Sequence, residues 1–397
     1  MADASHAAYK RAMSSIFLPR IIRSGGGSLA ELPDALAQLG LGKPFVVTDA
    51  FLAGSGLLDR LLAVLDGASI PAGVFTGTLA DPTTAVIDAA LAAMEGVDYD
   101  CVLGFGGGSP IDTAKAVAVR AVRALPYEAM KAPAQIDEPG LPIIAVPTTA
   151  GTGSEATRFT IITNEATQEK MLCMGLGFLP SIAIVDFELT FGKPKRLTAD
   201  TGIDSLTHAI EAYVSRKANP FSDAMALSAM RLISGSLRTA CADPDNRAAR
   251  AAMMEGAHHA GIAFSNASVA LVHGMSRPIG ALFHVPHGLS NAMLLPAVTT
   301  FSAPAALGRY ADCARAMGVA DPDEGDQAAV SALLAELARL NADLDVPTPA
   351  SYGIDRDQWF DNIALMARQA IASGSPGNNP RVAEAAEIEQ LYHQVWA

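Results

Sequence analysis

Between about residue 30 and residue 190 the chain alternates short β-rich runs with segments of helical period, and strict alternation leaves few folds open. Strands separated by a helix must pair in parallel, because only a long crossover returns the chain to the same edge direction. ELPDALAQLGL reads as a helix and PFVVTDA as a strand ending at Asp49; LLDRLLAVLDG follows as a helix, AGVFTG as a strand, TTAVIDAALAAME as a helix and YDCVLGFGG as a third strand. LPIIAV and, near Asp186, SIAIVD complete the series, while RFTIIT and KMLCM flank NEATQE in a hairpin. The expected first domain is therefore α/β, with a parallel sheet covered by helices on both faces. After Pro194 the β-branched runs stop, and Ala-, Leu- and Met-rich segments such as FSDAMALSAMRLISGSL and QAAVSALLAELARL follow one another. The chain thus divides into an α/β domain over 1–193 and an all-helical domain over 194–397, with SGSPGNNPR at 373–381 as a loop before the last helix.

The 28 basic and 41 acidic residues leave a net charge of −13 with no dense Lys/Arg block, which argues against nucleic acid and an anionic membrane surface as main partners. No run of about 18 uncharged apolar residues spans a bilayer, and the N-terminal MADASHAAYKRAMSS lacks the apolar core of an export signal. Cys101, Cys173, Cys241 and Cys313 are scattered without CxxC spacing, so neither a disulfide framework nor a thiolate zinc site is expected. A cytoplasmic enzyme with small-molecule ligands fits these totals.

The third strand runs into GFGGGSPIDTAKAVAVRAV, where Gly106, Gly107 and Gly108 precede a helix. Ser109 is expected as its N-cap, with Pro110 at the first helical position and Asp112 at capping-box spacing. Glycines that permit close approach, joined to the positive end of a helix, suit a pyrophosphate. The run is neither GxGxxG, since Ser109 stands where the last glycine would be, nor a P-loop, and a tight structural turn is the alternative. Asp49, at a strand C-terminus, stands where an acid would bond a ribose and repel a 2′-phosphate, although a surface turn also explains it. PTTAGTGSE adds Thr148, Thr149 and Thr152 in a second glycine-punctuated turn after a strand.

VHGMSRPIGALFHVPHG, 272–288, holds three of the eight histidines, and His273 and His287 are each followed by Gly. In the helix TADTGIDSLTHAIEAYVS, 198–215, the apolar stripe is Ile203, Leu206, Ile210, Tyr213 and Val214, with Asp204 and His208 one turn apart at its flank. An acid and a histidine at i, i+4 can share one cation, whereas as a plain ion pair they gain only a few tenths of a kcal/mol. Together with His273 and His287 they make a set of three nitrogens and one oxygen, which suits iron, zinc, nickel or manganese. Satisfied core histidines are the alternative.

With these stretches in view, the chain resembles the iron-dependent (group III) alcohol dehydrogenases over nearly its whole length. The resemblance rests on PFVVTD, DPT at 81–83, GGGSPIDTAK at 106–115, PTTAGTGSE at 147–155, TGIDSLTHAIEAY, FSNASVALVHGM, VPHGLSNAMLLP and the late NPR. It implies a nucleotide-binding α/β domain, a helical metal-binding domain and a cleft between them, the fold shared with dehydroquinate synthase. It assigns a divalent metal, iron first, to Asp204, His208, His273 and His287, and a pyrophosphate to Gly106, Gly107, Gly108 and Ser109. Thr148, Thr149, Thr152 and Lys170 are implied as further nucleotide contacts, and Asp49 falls where an acid favours NAD over NADP; Asp81 stands where many relatives carry Asn. The implied reaction is reversible hydride transfer between a small alcohol and NAD, in a homodimer or larger homo-oligomer.

The chain departs from its relatives at Arg277, four residues after His273, where a histidine thought to relay a proton is common. Arginine cannot act as a base near neutral pH. Either His284 or water carries the proton, or Arg277 binds an anionic group on the substrate by paired hydrogen bonds, with Arg158 as a second cation on the same side. Pairing of either arginine with a protein carboxylate is the competing expectation. His6, His258, His259 and His393 are expected to be structural or surface residues, and the methionines core filling. Two rival functions remain at this level: a polyol or sugar-phosphate dehydrogenase of the superfamily that includes glycerol dehydrogenase and dehydroquinate synthase, and a nucleotide-binding protein that has lost catalysis.

Overall fold

The computed structural model describes residues 13–167 and 169–397; His6 lies outside the described residues. Eight strands are found there: β1 (Ile21–Ser24), β2 (Pro44–Asp49), β3 (Gly73–Thr78), β4 (Cys101–Gly106), β5 (Ile143–Pro147), β6 (Phe159–Asn164), β7 (Glu169–Met174) and β8 (Ile182–Val185). Six of them form one parallel sheet in the order β1-β8-β5-β4-β2-β3, and β6 and β7 pair as the expected antiparallel hairpin. β1 lies ahead of the alternating pattern. It is a short, half-exposed edge strand whose IIRS carries no alternation of apolar and polar residues.

The helices of this half are α1 (Leu32–Gln38), α2 (Ala50–Gly54), α3 (Leu57–Gly67), α4 (Thr84–Met94) and α5 (Gly108–Arg120). Because successive side chains of a strand point to opposite faces, Val46, Leu103, Phe105, Ile144 and Val146 pack with residues of α1 and α3. Phe45, Val47, Val102 and Ile143 pack on the other face with residues of α4, α5 and the hairpin. From β2 the chain proceeds outward to β3, whereas from β4 it proceeds the other way to β5. The loops after β2 and β4 therefore part, which opens the crevice where open α/β sheets bind ligands. Asp49 and the three glycines end these two strands.

The second half contains α6 (Lys195–Val214), α7 (Pro220–Ala242), α8 (Arg247–Ala267), α9 (Leu271–Phe283), α10 (His287–Ser302), α11 (Leu307–Ala316), α12 (Asp326–Asp343), α13 (Pro349–Tyr352), α14 (Arg356–Ala372) and α15 (Ala385–Gln394). α6 begins three residues before the apolar pattern did, and from Thr198 to Val214 every residue except Thr201 is buried. The expected stripe was real but too narrow: beyond its exposed first turn α6 is enclosed on all sides. The turn after β5 ties the halves together. A Cβ on Gly153 would lie 2.4 Å from Gly261 Cα of α8, Ser205 Oγ of α6 donates to Gly151 O at 2.8 Å, and buried Glu155 and His258 meet at 2.8 Å. That last contact gives His258 the structural role expected of it. The four cysteines are free and buried, and no helix among the described residues is long and apolar enough to cross a membrane.

Candidate metal centre and nucleotide cleft

α6, α9 and α10 bring Asp204, His208, His273 and His287 together, with one ligand atom of each lying within 4.8 Å of the others. Asp204 Oδ1 is 3.4 Å from His273 Nε2 and 3.8 Å from both His208 Nε2 and His287 Nε2. These spacings suit donors around one small cation. The glycine beside His287 has a steric reason, since a Cβ on Gly288 would meet Asp200 O of α6 at 2.4 Å. Only glycine lets α10 approach α6 closely enough for the two helices to share a centre.

Three ligands are deeply buried, and His287, 46% exposed, forms the open side. His208 stacks between Phe264, at 4.3 Å, and His273, at 4.5 Å, so the inner wall is a column of flat rings that keeps water out. Burial pushes His208 down to about 3, and partial desolvation with the charges of His273, Arg277 and Lys170 lowers the half-exposed His287 to about 4 against the pull of Asp204, leaving both imidazoles neutral as a metal requires. Burial opposes the charge on Asp204, but His208, His287 and His273 together hold its carboxyl below the usual carboxylate range. Burial also opposes the charge on His273, yet hydrogen bonds to Asp204 and Glu211 lift it to about 9.

Glu211 was not singled out in the sequence. Its buried carboxylate accepts from Ala270 N at 2.9 Å, from Val272 N at 2.6 Å and from His273 Nδ1 at 2.6 Å. It therefore caps α9, whose own N-cap Ala270 has no side-chain acceptor, and it turns His273 so that Nε2 faces the other ligands. Its signal was spacing: Asp204, His208 and Glu211 stand at i, i+4 and i+7 of one helix face.

On the nucleotide side, Gly106 has φ 153°, and its carbonyl accepts from Thr148 N at 2.8 Å. A Cβ on Gly107 would touch Thr149 at 3.5 Å and one on Gly108 would press on Thr152 at 3.0 Å, so the two glycine turns face each other across a cradle that side chains would fill. One expectation is corrected here. Ser109 is not the N-cap of α5: the helix starts at Gly108 with Gly107 in the cap position, the Ser109 hydroxyl donates to Ala80 O, and Asp112 accepts from Ser154 Oγ and Ile161 N. Those partners bind the loop to its neighbours and leave the first amides of α5 uncapped by any side chain. Asp49 caps α2 by accepting from Leu52 N at 2.8 Å. Lys170 pairs with Asp81 at 2.9 Å, and the field of Lys170 reaches His287.

Arg277 lies one turn after His273 on α9. Its Nη1 donates to Ser375 Oγ at 3.0 Å, and among the described residues it forms no ion pair with a carboxylate. Arg158 forms none either; its guanidinium rests 4.9 Å from the centre of the Phe17 ring. Neither arginine meets a carboxylate at ion-pair distance among the described residues, although the fields of Glu211 and Asp137 reach Arg277 and Arg158. His284 is the exposed C-cap of α9 at φ 54°, and its ring does not join the ligand cluster.

A parallel α/β domain whose glycine turns abut a three-histidine, one-aspartate centre in a helical domain defines a class of metal-dependent nucleotide-linked oxidoreductases. The iron-containing alcohol dehydrogenase family model matches residues 19–187, and the model for the C-terminal part of the Fe-containing alcohol dehydrogenase family matches 198–396. The chain belongs to this family. It is 34% identical to lactaldehyde reductase of Escherichia coli (strain K12) over 379 residues, 94% of this chain and 97% of that protein. The solved structure of a 1,3-propanediol oxidoreductase superposes with a TM-score of 0.93 at 34% identity, covering 97% of this chain and 100% of the other. Sulfoacetaldehyde reductase from Bifidobacterium kashiwanohense, solved with NAD+, superposes with a TM-score of 0.87 at 30% identity, covering 98% and 100%. The protein is accordingly an oxidoreductase of the alcohol dehydrogenase type, and the reading as a protein without catalysis falls away.

Proposed function

We propose that the protein interconverts a small aldehyde that bears an anionic group and the corresponding primary alcohol, using NAD(H) and a divalent metal, iron first, held by Asp204, His208, His273 and His287. The observation that carries this reading is the convergence of those four ligand atoms beside the glycine turns. When bound, the metal supplies Lewis-acid polarisation of the substrate oxygen and the nicotinamide supplies the hydride acceptor or donor. The chain does the rest. Gly106, Gly107, Gly108 and Ser109, with Thr148, Thr149 and Thr152, line the cradle suited to a pyrophosphate, and Asp49, at the end of β2, would accept hydrogen bonds from a ribose. The ring column of Phe264, His208 and His273 excludes water from the inner side of the centre.

Arg277 supports the anionic substrate. Glu211 is bonded to His273 and lends Arg277 only its field, so the Arg277 guanidinium has no carboxylate at ion-pair distance among the described residues. A guanidinium whose only hydrogen bond among the described residues is to a serine hydroxyl keeps most of its fork available for paired bonds to a carboxylate, sulfonate or phosphonate. The sulfoacetaldehyde reductase among its structural relatives is named for such an aldehyde. NADH oxidation with size-matched neutral and anionic aldehydes tests both parts. Dialysis against a chelator is expected to abolish turnover and a divalent metal to restore it. Arg277→Ala is expected to raise KM for anionic aldehydes by about tenfold or more, the loss of a charge-assisted pair, while sparing neutral ones. Full activity after chelation sinks the metal assignment; equal use of neutral and anionic aldehydes by the parent sinks the role of Arg277.

A further inference from the structure

α10 carries a second residue aimed into the metal centre. Asn291, fully buried, follows His287 by one turn, so α10 presents a pair at i, i+4 just as α6 presents Asp204 and His208. Its Nδ2 lies 2.6 Å from Asp204 Oδ1, 3.1 Å from His273 Nε2 and 3.2 Å from His287 Nε2, which are atoms of three of the four ligands. Its Oδ1 is buried and has no hydrogen-bond partner among the described residues. In the metal-free centre, where the His273 ring keeps its proton, the two amide hydrogens are left to Asp204 Oδ1 and His287 Nε2, and the oxygen beside them has no partner among the described residues. A cation held by these ligands needs the same three lone pairs and would face the positive side of the amide dipole. Rotation of the carboxamide by half a turn exchanges oxygen for nitrogen in nearly the same space. Oxygen is then the atom turned to the cation, and it is a good donor for a hard or borderline divalent metal.

We propose that Asn291 is a fifth member of the metal centre, its carboxamide turning to present Oδ1 to the bound cation. The inference rests on the metal assignment proposed above, and the experiment separates the two. Parent, Asn291→Ala and Asn291→Asp proteins are titrated with Co2+ or Zn2+ against a competing chelator, without substrate or nucleotide, and the visible absorption of the Co2+ forms is recorded. Asn291→Ala is expected to weaken binding by about 10–100-fold and to intensify the Co2+ bands as the shell loses a ligand. Asn291→Asp, which is isosteric and carries the test should the alanine variant fail to fold, is expected to bind at least as tightly as the parent, because a carboxylate offers oxygen in either orientation. Weaker binding by Asn291→Asp than by Asn291→Ala would overturn the proposal, since it would show that Asp204 needs an N–H at this position. An alanine variant with the parent's affinity and spectrum overturns it too. A parent that binds no divalent cation removes the metal assignment and this inference together.

Discussion

Replacing Glu211 with alanine is expected to loosen the metal and the fold at once. The carboxylate is buried and receives His273 Nδ1 together with the amides of Ala270 and Val272. Its removal strands an imidazole and the first amides of α9 where water cannot reach them, and it takes a negative charge from the positive end of that helix. Breaking a buried pair by deleting one partner costs about 3–5 kcal/mol. Losing the partner that orients a histidine ligand costs about 10–100-fold in metal affinity. Glu211→Gln should be almost as damaging although it preserves shape, because its amide group would direct N–H toward N–H. Denaturation of the metal-free proteins and chelator competition measure the two effects separately. An alanine variant that kept both the parent's unfolding midpoint and its metal affinity would show that neither α9 nor His273 depends on this carboxylate.

Glu211 also marks the limit of what the residues disclosed by pattern. The parallel sheet was legible because runs such as PFVVTDA and YDCVLGFGG are long, apolar and bounded by helical periods, and their strands end at Asp49, as expected, and at Gly106, one residue earlier than the run. β1 was not, because four half-exposed edge residues carry no periodicity. The metal ligands stood out because histidine and aspartate at helical spacing are few in an apolar helix. Glu211 and Asn291 occupy the same spacing, i+7 from Asp204 and i+4 from His287, yet a single Glu or Asn in a helix usually means a solvated face. Only packing shows that Glu211 and Asn291 lie on no such face here. Ser109 failed for a related reason: the Ser-Pro-Ile-Asp pattern imitates a capping box, but a hydroxyl that can reach Ala80 O and an aspartate that can reach Ser154 have tertiary partners that local rules do not weigh.

Metal affinity should rise by about tenfold per pH unit from pH 7 to about 9 and then level off. With His208 and His287 pushed down to about 3 and 4, and the Asp204 carboxyl below the usual range, three ligands have already given up their protons at neutral pH. His273 has not. Burial works against its charge, but the carboxylates of Asp204 and Glu211 raise it to about 9, so a metal must displace one proton from this ring. Displacement of one proton gives the stated slope, and passing the pKa removes it. The same proton acts on folding with the opposite sign. A pKa raised from 6.5 in the unfolded chain to about 9 in the folded one stabilises the metal-free protein fully below pH 6.5, and that contribution is lost as pH rises through 9. Metal affinity therefore gains over the window in which the metal-free fold loses, and Glu211→Gln, by removing one of the two carboxylates that raise His273, should flatten both trends. Chelator competition with Mn2+ across pH 6.5–9.5, run beside denaturation of the metal-free protein, reads each sign directly. An affinity that stays flat from pH 7 to 9 would mean that His273 is already neutral, and that Glu211 orients the ring without holding a second proton on it.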